Sequence, residues 1–120
     1  MKTLLLADDE ATLRMLARIT LDDPDYRILE AADGTTALTL ARTEQPDLLV
    51  LDWTMPGLTG IEVAQMLRQD PQTARIPIIL LTAKGQAADK EQGRACGTYA
   101  YLVKPFSPLE LLEKVEAALQ

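Results

Sequence analysis

Four short hydrophobic stretches of the sequence each end in polar residues that can handle phosphate. The stretches are 2–7 before Asp8 and Asp9, 47–51 before Asp52, 76–81 before Thr82, and 99–103 before Lys104. If these stretches are parallel strands, their carboxyl ends meet at one edge of one sheet, where open α/β folds bind their ligands. Three carboxylates, a hydroxyl and an ammonium group are therefore expected to share one crevice.

These residue types suit phosphoryl chemistry with a metal ion. Asp8, Asp9 and Asp52 supply the oxygen ligands that a hard divalent cation such as Mg²⁺ prefers. A carboxylate can also attack a phosphoryl group and form an acyl phosphate when cationic groups neutralise the transferring oxygens. Thr82 and Lys104 fit that supporting role. Because three clustered carboxylates repel one another, we expect the pKa of at least one of them to be raised.

Each residue taken singly has an ordinary structural explanation. An Asp pair after a strand usually caps a helix and lies in a solvated loop, and a Thr or Lys at a strand end is usually just exposed. Their joint occurrence at four strand ends favours a functional site.

Composition excludes several classes of function. The chain has 120 residues, which suits one domain. A net charge of -6, with no basic stripe on any predicted helix, disfavours direct nucleic-acid binding. The absence of histidine excludes Ser-His-Asp and Cys-His catalysis. The single cysteine, Cys96, is expected to be a small buried hydrophobe.

The sequence also predicts no membrane contact. No apolar stretch approaches the roughly 18 to 20 residues that span a bilayer. The apolar run after Lys2 is too short for a signal peptide and meets two aspartates. We therefore expect a cytoplasmic protein.

Helical spacing between the strands predicts five helices, and residues 26–31 predict a further strand. Asp33 is expected to be a helix N-cap, and Ser107 with Glu110 is expected to form a capping box at the last helix. The apolar stripes are expected at Leu13, Leu16, Ala17 and Leu21 of the first helix and at Leu109, Leu112, Val115 and Leu119 of the last. Alternating strands and helices predict a parallel sheet with helices on both faces.

The sequence resembles the receiver domain of two-component response regulators, including chemotaxis-type regulators. The matching segments are Asp8-Asp9-Glu10, Leu51-Asp52-Trp53-Thr54-Met55-Pro56-Gly57, Leu81-Thr82-Ala83 and Lys104-Pro105-Phe106. The resemblance implies one receiver (response regulatory) domain over residues 1–120. It also implies a flavodoxin-like, doubly wound α/β fold with a five-stranded parallel sheet of order 2-1-3-4-5 and five helices.

The same resemblance implies roles for the acidic residues. Asp52 would take a phosphoryl group from the phosphohistidine of a sensor histidine kinase or a phosphotransfer protein. Asp9, Asp52 and the backbone carbonyl of Thr54 would bind Mg²⁺, with Asp8 acting through a water molecule. The peptide bond between Lys104 and Pro105 would be cis. The domain would catalyse only its own phosphorylation and dephosphorylation, and is otherwise not an enzyme.

A switch is implied as well. Thr82 and Lys104 would hold the phosphoryl oxygens, and Tyr101 would turn inward when Thr82 moves. This movement would alter the surface formed by a helix over 85–97, the fifth strand and the last helix. That surface would control an output domain or effector protein, or form a phosphorylation-dependent homodimer. Tyr99 shares strand parity with Tyr101, so the choice of Tyr101 rests on its distance from Lys104.

One departure from the family pattern is Thr59, which stands where the family usually has aspartate. Other functions also stay open at this point. A receiver-like module that no longer cycles phosphate is one alternative. An FMN-binding flavodoxin relative would need a Ser/Thr/Gly-rich loop in place of Asp8 and Asp9. A haloacid-dehalogenase-type phosphatase would need aspartate in place of Thr54. A free-standing receiver and the amino-terminal domain of a longer protein fit the sequence equally well.

Overall fold

The computed structural model describes residues 1–83 and 98–120; the helix predicted over 85–97 and Cys96 lie outside these residues. Within them, five strands alternate with four helices. The strands are β1 (Lys2–Ala7), β2 (Tyr26–Ala31), β3 (Leu48–Asp52), β4 (Ile78–Ala83) and β5 (Ala100–Lys104). The helices are α1 (Ala11–Thr20), α2 (Gly34–Glu44), α3 (Gly60–Gln69) and α4 (Pro108–Leu119).

The five strands form one parallel sheet of order β2-β1-β3-β4-β5, which confirms the predicted topology. Buried residues of α2 and α3 pack on one face of the sheet, while α4 and the end of α1 pack on the other. All five residues of β3 are buried, as expected for a central strand covered on both faces. The sheet is therefore doubly wound, and its central strand carries Asp52.

The observed bounds of three strands correct the predicted ones. The predicted strands 47–51, 76–81 and 99–103 run instead over Leu48–Asp52, Ile78–Ala83 and Ala100–Lys104. Backbone pairing continues through the polar residues, with Asp52 opposite Leu81 and Thr82 opposite Val103. The polar residues Asp52, Thr82 and Lys104 therefore belong to the carboxyl-terminal ends of their strands and not to the loops that follow. Their backbones are held by the sheet itself.

The predicted helix starts are confirmed. The Asp33 side chain accepts a hydrogen bond from the backbone of Thr36 at 2.7 Å, and Ser107 with Glu110 forms a capping box. Lys104-Pro105 is a cis peptide bond, as the family resemblance implies. A second capping box, between Thr59 and Glu62, begins α3.

The apolar stripes of α1 and α4 are only partly as predicted. Leu21 and Val115 are buried, but the side chains of Leu16 and Leu109 are exposed, with relative exposures of 51% and 63%. In α4 the buried face is set by Leu111 and Val115, which lie one turn apart and so face the sheet together. Among the described helices, none is long and apolar enough to cross a membrane.

Candidate functional site

The carboxyl ends of β1 and β3 bring three carboxylates together. Carboxylate oxygens of Asp8, Asp9 and Asp52 all lie within 4.8 Å of one another. Asp8 and Asp52 are buried, and Asp9 is exposed at the rim. The cluster predicted from the sequence therefore forms, and its oxygen atoms are of the kind that a hard divalent cation prefers.

Lys104 reaches this cluster from the end of β5. Its Nζ lies 3.2 Å from Oδ2 of Asp8 and 3.1 Å from Oδ2 of Asp52. The lysine side chain is 21% exposed, whereas the side chains of Asp8 and Asp52 are 5% and 9% exposed. One ammonium group thus bridges two nearly buried carboxylates and leaves the cluster with an excess of negative charge.

The pKa values of Asp52 and Lys104 reflect this environment. The pKa of Asp52 is raised from 3.8 to about 6. Burial is the largest cause, the contact with Lys104 opposes it, and the negative charge of Asp8 reinforces it. The sequence predicts a raised pKa from repulsion among the carboxylates, whereas burial is the larger cause. Burial alone would lower the pKa of Lys104, but its contacts with Asp52 and Asp8 outweigh this and raise it. At neutral pH, Asp52 is therefore mainly an ionised carboxylate beside a protonated amine.

Thr82 follows Leu81, the residue of β4 that pairs with Asp52 of β3. Its side chain is fully buried, and its Oγ1 has no hydrogen-bond partner among the described residues. Buried polar groups in folded proteins nearly always have a partner, so an exception calls for an explanation. A hydroxyl at this edge of the sheet is free to donate to an oxygen of a bound group.

Tyr101 and Tyr99 differ in their surroundings. Tyr101 is partly buried and packs against the core on the α2 and α3 face of the sheet, opposite Leu80 of β4. Tyr99 precedes β5 and is 49% exposed. Thr54 lies in the loop after Asp52 with its side chain exposed, and the role of its carbonyl stays a prediction.

The loop after Asp52 is held close to the strand that it follows. The backbone N–H of Gly60 donates to the carbonyl of Trp53 at 2.8 Å, and Trp53 donates to Leu81 of β4 at 2.9 Å. A Cβ atom at Gly60 would lie 2.3 Å from the carbonyl oxygen of Asp52, which is too close for any side chain. This position therefore requires glycine. The backbone of Asp52 is therefore fixed both by the sheet and by the start of α3.

The sequence did not predict that Arg14 and its partner Glu30 lie at the site. Arg14 of α1 donates a hydrogen bond from Nη1 to the backbone carbonyl of Asp8 at 2.6 Å. Its Nε lies 3.4 Å from a carboxylate oxygen of Glu30 near the end of β2. The feature of the sequence that could have indicated this contact is the position of Arg14, one turn into the helix that follows Asp8 and Asp9.

Residues 4–116 match the family model of the response regulator receiver domain. The chain belongs to the response regulator receiver family. The family predicted from four strand-end segments is thereby confirmed, and with it the assignment to two-component signal transduction.

Curated relatives of this receiver domain are transcriptional regulators. The phosphate regulon transcriptional regulatory protein PhoB of Pseudomonas aeruginosa is 44% identical over 119 residues, which cover 99% of this chain and 52% of that protein. The transcriptional regulatory protein ResD of Bacillus subtilis is 44% identical over 117 residues, which cover 98% of this chain and 48% of that protein. The receiver domain thus spans about half the length of these relatives.

Solved structures of similar length share the fold. The chemotaxis response regulator CheY4 of Vibrio cholerae has a TM-score of 0.91 and 35% sequence identity, with 99% of each chain covered. The receiver domain of the Francisella response regulator 1452 has a TM-score of 0.89 and 33% identity, covering 99% of this chain and 97% of that one.

Proposed function

We propose that this receiver domain is a phosphorylation-dependent switch whose phosphoacceptor is Asp52. The phosphoryl donor is the phosphohistidine of a sensor histidine kinase or a phosphotransfer protein. The observation that carries the proposal is the buried Asp52 carboxylate 3.1 Å from Lys104 Nζ, at the sheet edge where the adjacent strand β4 carries the buried, unpartnered hydroxyl of Thr82. An ionised carboxylate next to a cation and a hydrogen-bond donor is suited to accept a phosphoryl group.

The transfer balances with the groups present. The P–N bond to the donor histidine breaks and its electron pair stays on the imidazole nitrogen, while a P–O bond forms to a carboxylate oxygen of Asp52. Lys104 and Thr82 stabilise the phosphoryl oxygens by charge and by hydrogen bonding. Water then attacks the phosphorus, the P–O bond to Asp52 breaks, and inorganic phosphate leaves while Asp52 returns to its carboxylate form. In this proposal the domain catalyses only its own phosphorylation and dephosphorylation.

Mg²⁺ is the proposed cofactor, and the donor set fits it. Asp8, Asp9 and Asp52 offer clustered oxygen atoms, and only Lys104 offsets their charge among the ion pairs of the described residues. Asp9 and Asp52 with the carbonyl of Thr54 would hold the ion, with Asp8 acting through water. When bound, the ion neutralises negative charge on the transferring phosphoryl group.

The output of the switch is a changed surface. We propose that Thr82 moves towards phosphorylated Asp52, that Tyr101 follows, and that the surface of 85–97, β5 and α4 is altered. This surface would control an output domain or effector protein, or pair with a second copy of the domain. The similarity to transcriptional regulators of about twice the length supports an attached output domain as one such target.

Labelling with acetyl phosphate tests the phosphoacceptor. The wild type with Mg²⁺ is expected to gain one phosphoryl group by mass spectrometry, and Asp52→Asn is expected to gain none. Asp22→Asn, which removes an exposed carboxylate elsewhere, serves as the matched control and should label normally. Equal labelling of the wild type and Asp52→Asn would refute the assignment.

The same experiment separates the switch from a receiver-like module that no longer cycles phosphate. Slow decay of a single acyl phosphate supports the switch. An absence of labelling supports an interaction module that no longer cycles phosphate.

A further inference from the structure

We propose that Arg14 is a positioning residue for the acidic cluster, an inference that rests on the Mg²⁺ site assigned to that cluster under the proposed function. Its Nη1 donates a hydrogen bond of 2.6 Å to the carbonyl oxygen of Asp8. This carbonyl belongs to the planar peptide group whose nitrogen is that of Asp9. By holding this peptide, Arg14 constrains the backbone between the two aspartates and so the orientation of one carboxylate relative to the other.

The backbone N–H and the carboxylate of Asp8 have other partners, and its backbone carbonyl is the group that Arg14 contacts. The backbone N–H of Asp8 donates to the carbonyl of Ala31 at 3.1 Å, which continues the pairing of β1 with β2. The carboxylate accepts from the backbone of Glu10 at 2.9 Å through Oδ1 and from Lys104 at 3.2 Å through Oδ2. The carbonyl is the remaining polar group of Asp8, and its partner is the guanidinium.

Arg14 is itself held in place. Its Nε lies 3.4 Å from Oε1 of Glu30, and its side chain is only 18% exposed. The other oxygen of Glu30 is bound at 2.6 Å by Nη1 of Arg18, one turn further along α1. A planar guanidinium can serve the Asp8 carbonyl and Glu30 at the same time, whereas a lysine ammonium on a flexible stem is less suited to both.

This arrangement predicts an effect on metal binding that Arg18 does not share. Groups that orient metal ligands without touching the metal typically contribute 10- to 100-fold to affinity, so Arg14→Ala is expected to weaken Mg²⁺ binding by about 10-fold. Arg14→Lys should have an intermediate effect. Arg18→Ala loses a contact with the same Glu30 but none with Asp8, and should bind Mg²⁺ like the wild type.

The test is a Mg²⁺ titration of the whole domain, followed by calorimetry and by the fluorescence of Trp53, the only tryptophan and the neighbour of Asp52. Acetyl phosphate labelling rates are measured in parallel at low and at saturating Mg²⁺. Arg14→Ala should label slowly at low Mg²⁺ and recover when Mg²⁺ saturates. A residue that only stabilises the fold would lower the melting temperature and leave the Mg²⁺ affinity unchanged.

Three results would overturn the inference: wild-type Mg²⁺ affinity in both Arg14 variants, an equal loss in Arg18→Ala, or no Mg²⁺ binding by the wild type. Failure of the proposed function looks different. If the wild type is not labelled but Arg14→Ala still weakens Mg²⁺ binding, Asp52 is not the phosphoacceptor and the assignment of Arg14 stands.

Discussion

Replacing Asp52 by asparagine is expected to stabilise the metal-free domain at neutral pH and to have much less effect near pH 4. The folded state raises the pKa of Asp52 from 3.8 to about 6, mainly through burial. Between these two values the folded state binds more protons than the unfolded state, so the contribution of Asp52 to stability falls as the pH rises. Because the asparagine side chain does not ionise, the Asp52→Asn variant does not lose stability in this way as the pH rises.

The size of the effect follows from the shift. A rise of roughly two pKa units corresponds to about 3 kcal/mol at 1.36 kcal/mol per unit. Because the carboxylate keeps some contact with solvent and local movements relax part of such a penalty, we expect a gain of about 1 to 3 kcal/mol above pH 7. For a domain of this size each kcal/mol raises the melting temperature by about 4 °C.

Urea unfolding of both proteins in EDTA at pH values from 4 to 8 measures this difference. The gain of Asp52→Asn should grow mostly between pH 4 and 6 and then stay constant. Asp22→Asn makes the same change in net charge at an exposed position and should show no such pH dependence. A gain that is independent of pH, or a destabilised Asp52→Asn protein at pH 8, would contradict the proposed cost of ionising the buried carboxylate.

Three further outcomes are expected. Thr82→Val removes a buried, unpartnered hydroxyl and should stabilise the fold by about 1 kcal/mol in urea unfolding, while lowering the rate of acetyl phosphate labelling. Gly60→Ala forces a Cβ against the Asp52 carbonyl and should cost about 2 to 3 kcal/mol in the same assay; an unchanged midpoint would contradict the close approach. Mg²⁺ should raise the melting temperature of the wild type, by the equivalent of about 2.7 kcal/mol at 100 times its dissociation constant, and a flat response would argue against a metal site.

The sequence predicted which residues meet, but not how their environment acts on them. The proximity of Asp52 and Lys104 could be predicted, because parallel strands of a doubly wound sheet end at one edge. The dominance of burial in the pKa of Asp52 depends on how completely the carboxylate is shielded from water, which the predicted strand order alone does not give. Arg14 was missed because its contact depends on the angle between α1 and β1. Thr59 was regarded only as a departure from the family pattern, and it is the N-cap of α3.

The ion pair between Asp8 and Lys104 joins residues 96 positions apart, close to the full length of the chain. Such a contact can form only after β1, β3, β4 and β5 have come together, and pairings of this sequence separation form late and slowly in folding. A nascent chain that still lacks β5 has Asp52 but not Lys104, the cation that faces it. If Asp52 is the phosphoacceptor, as proposed, receiver domains whose synthesis has not yet reached β5 would not compete with folded ones for the donor's phosphoryl group.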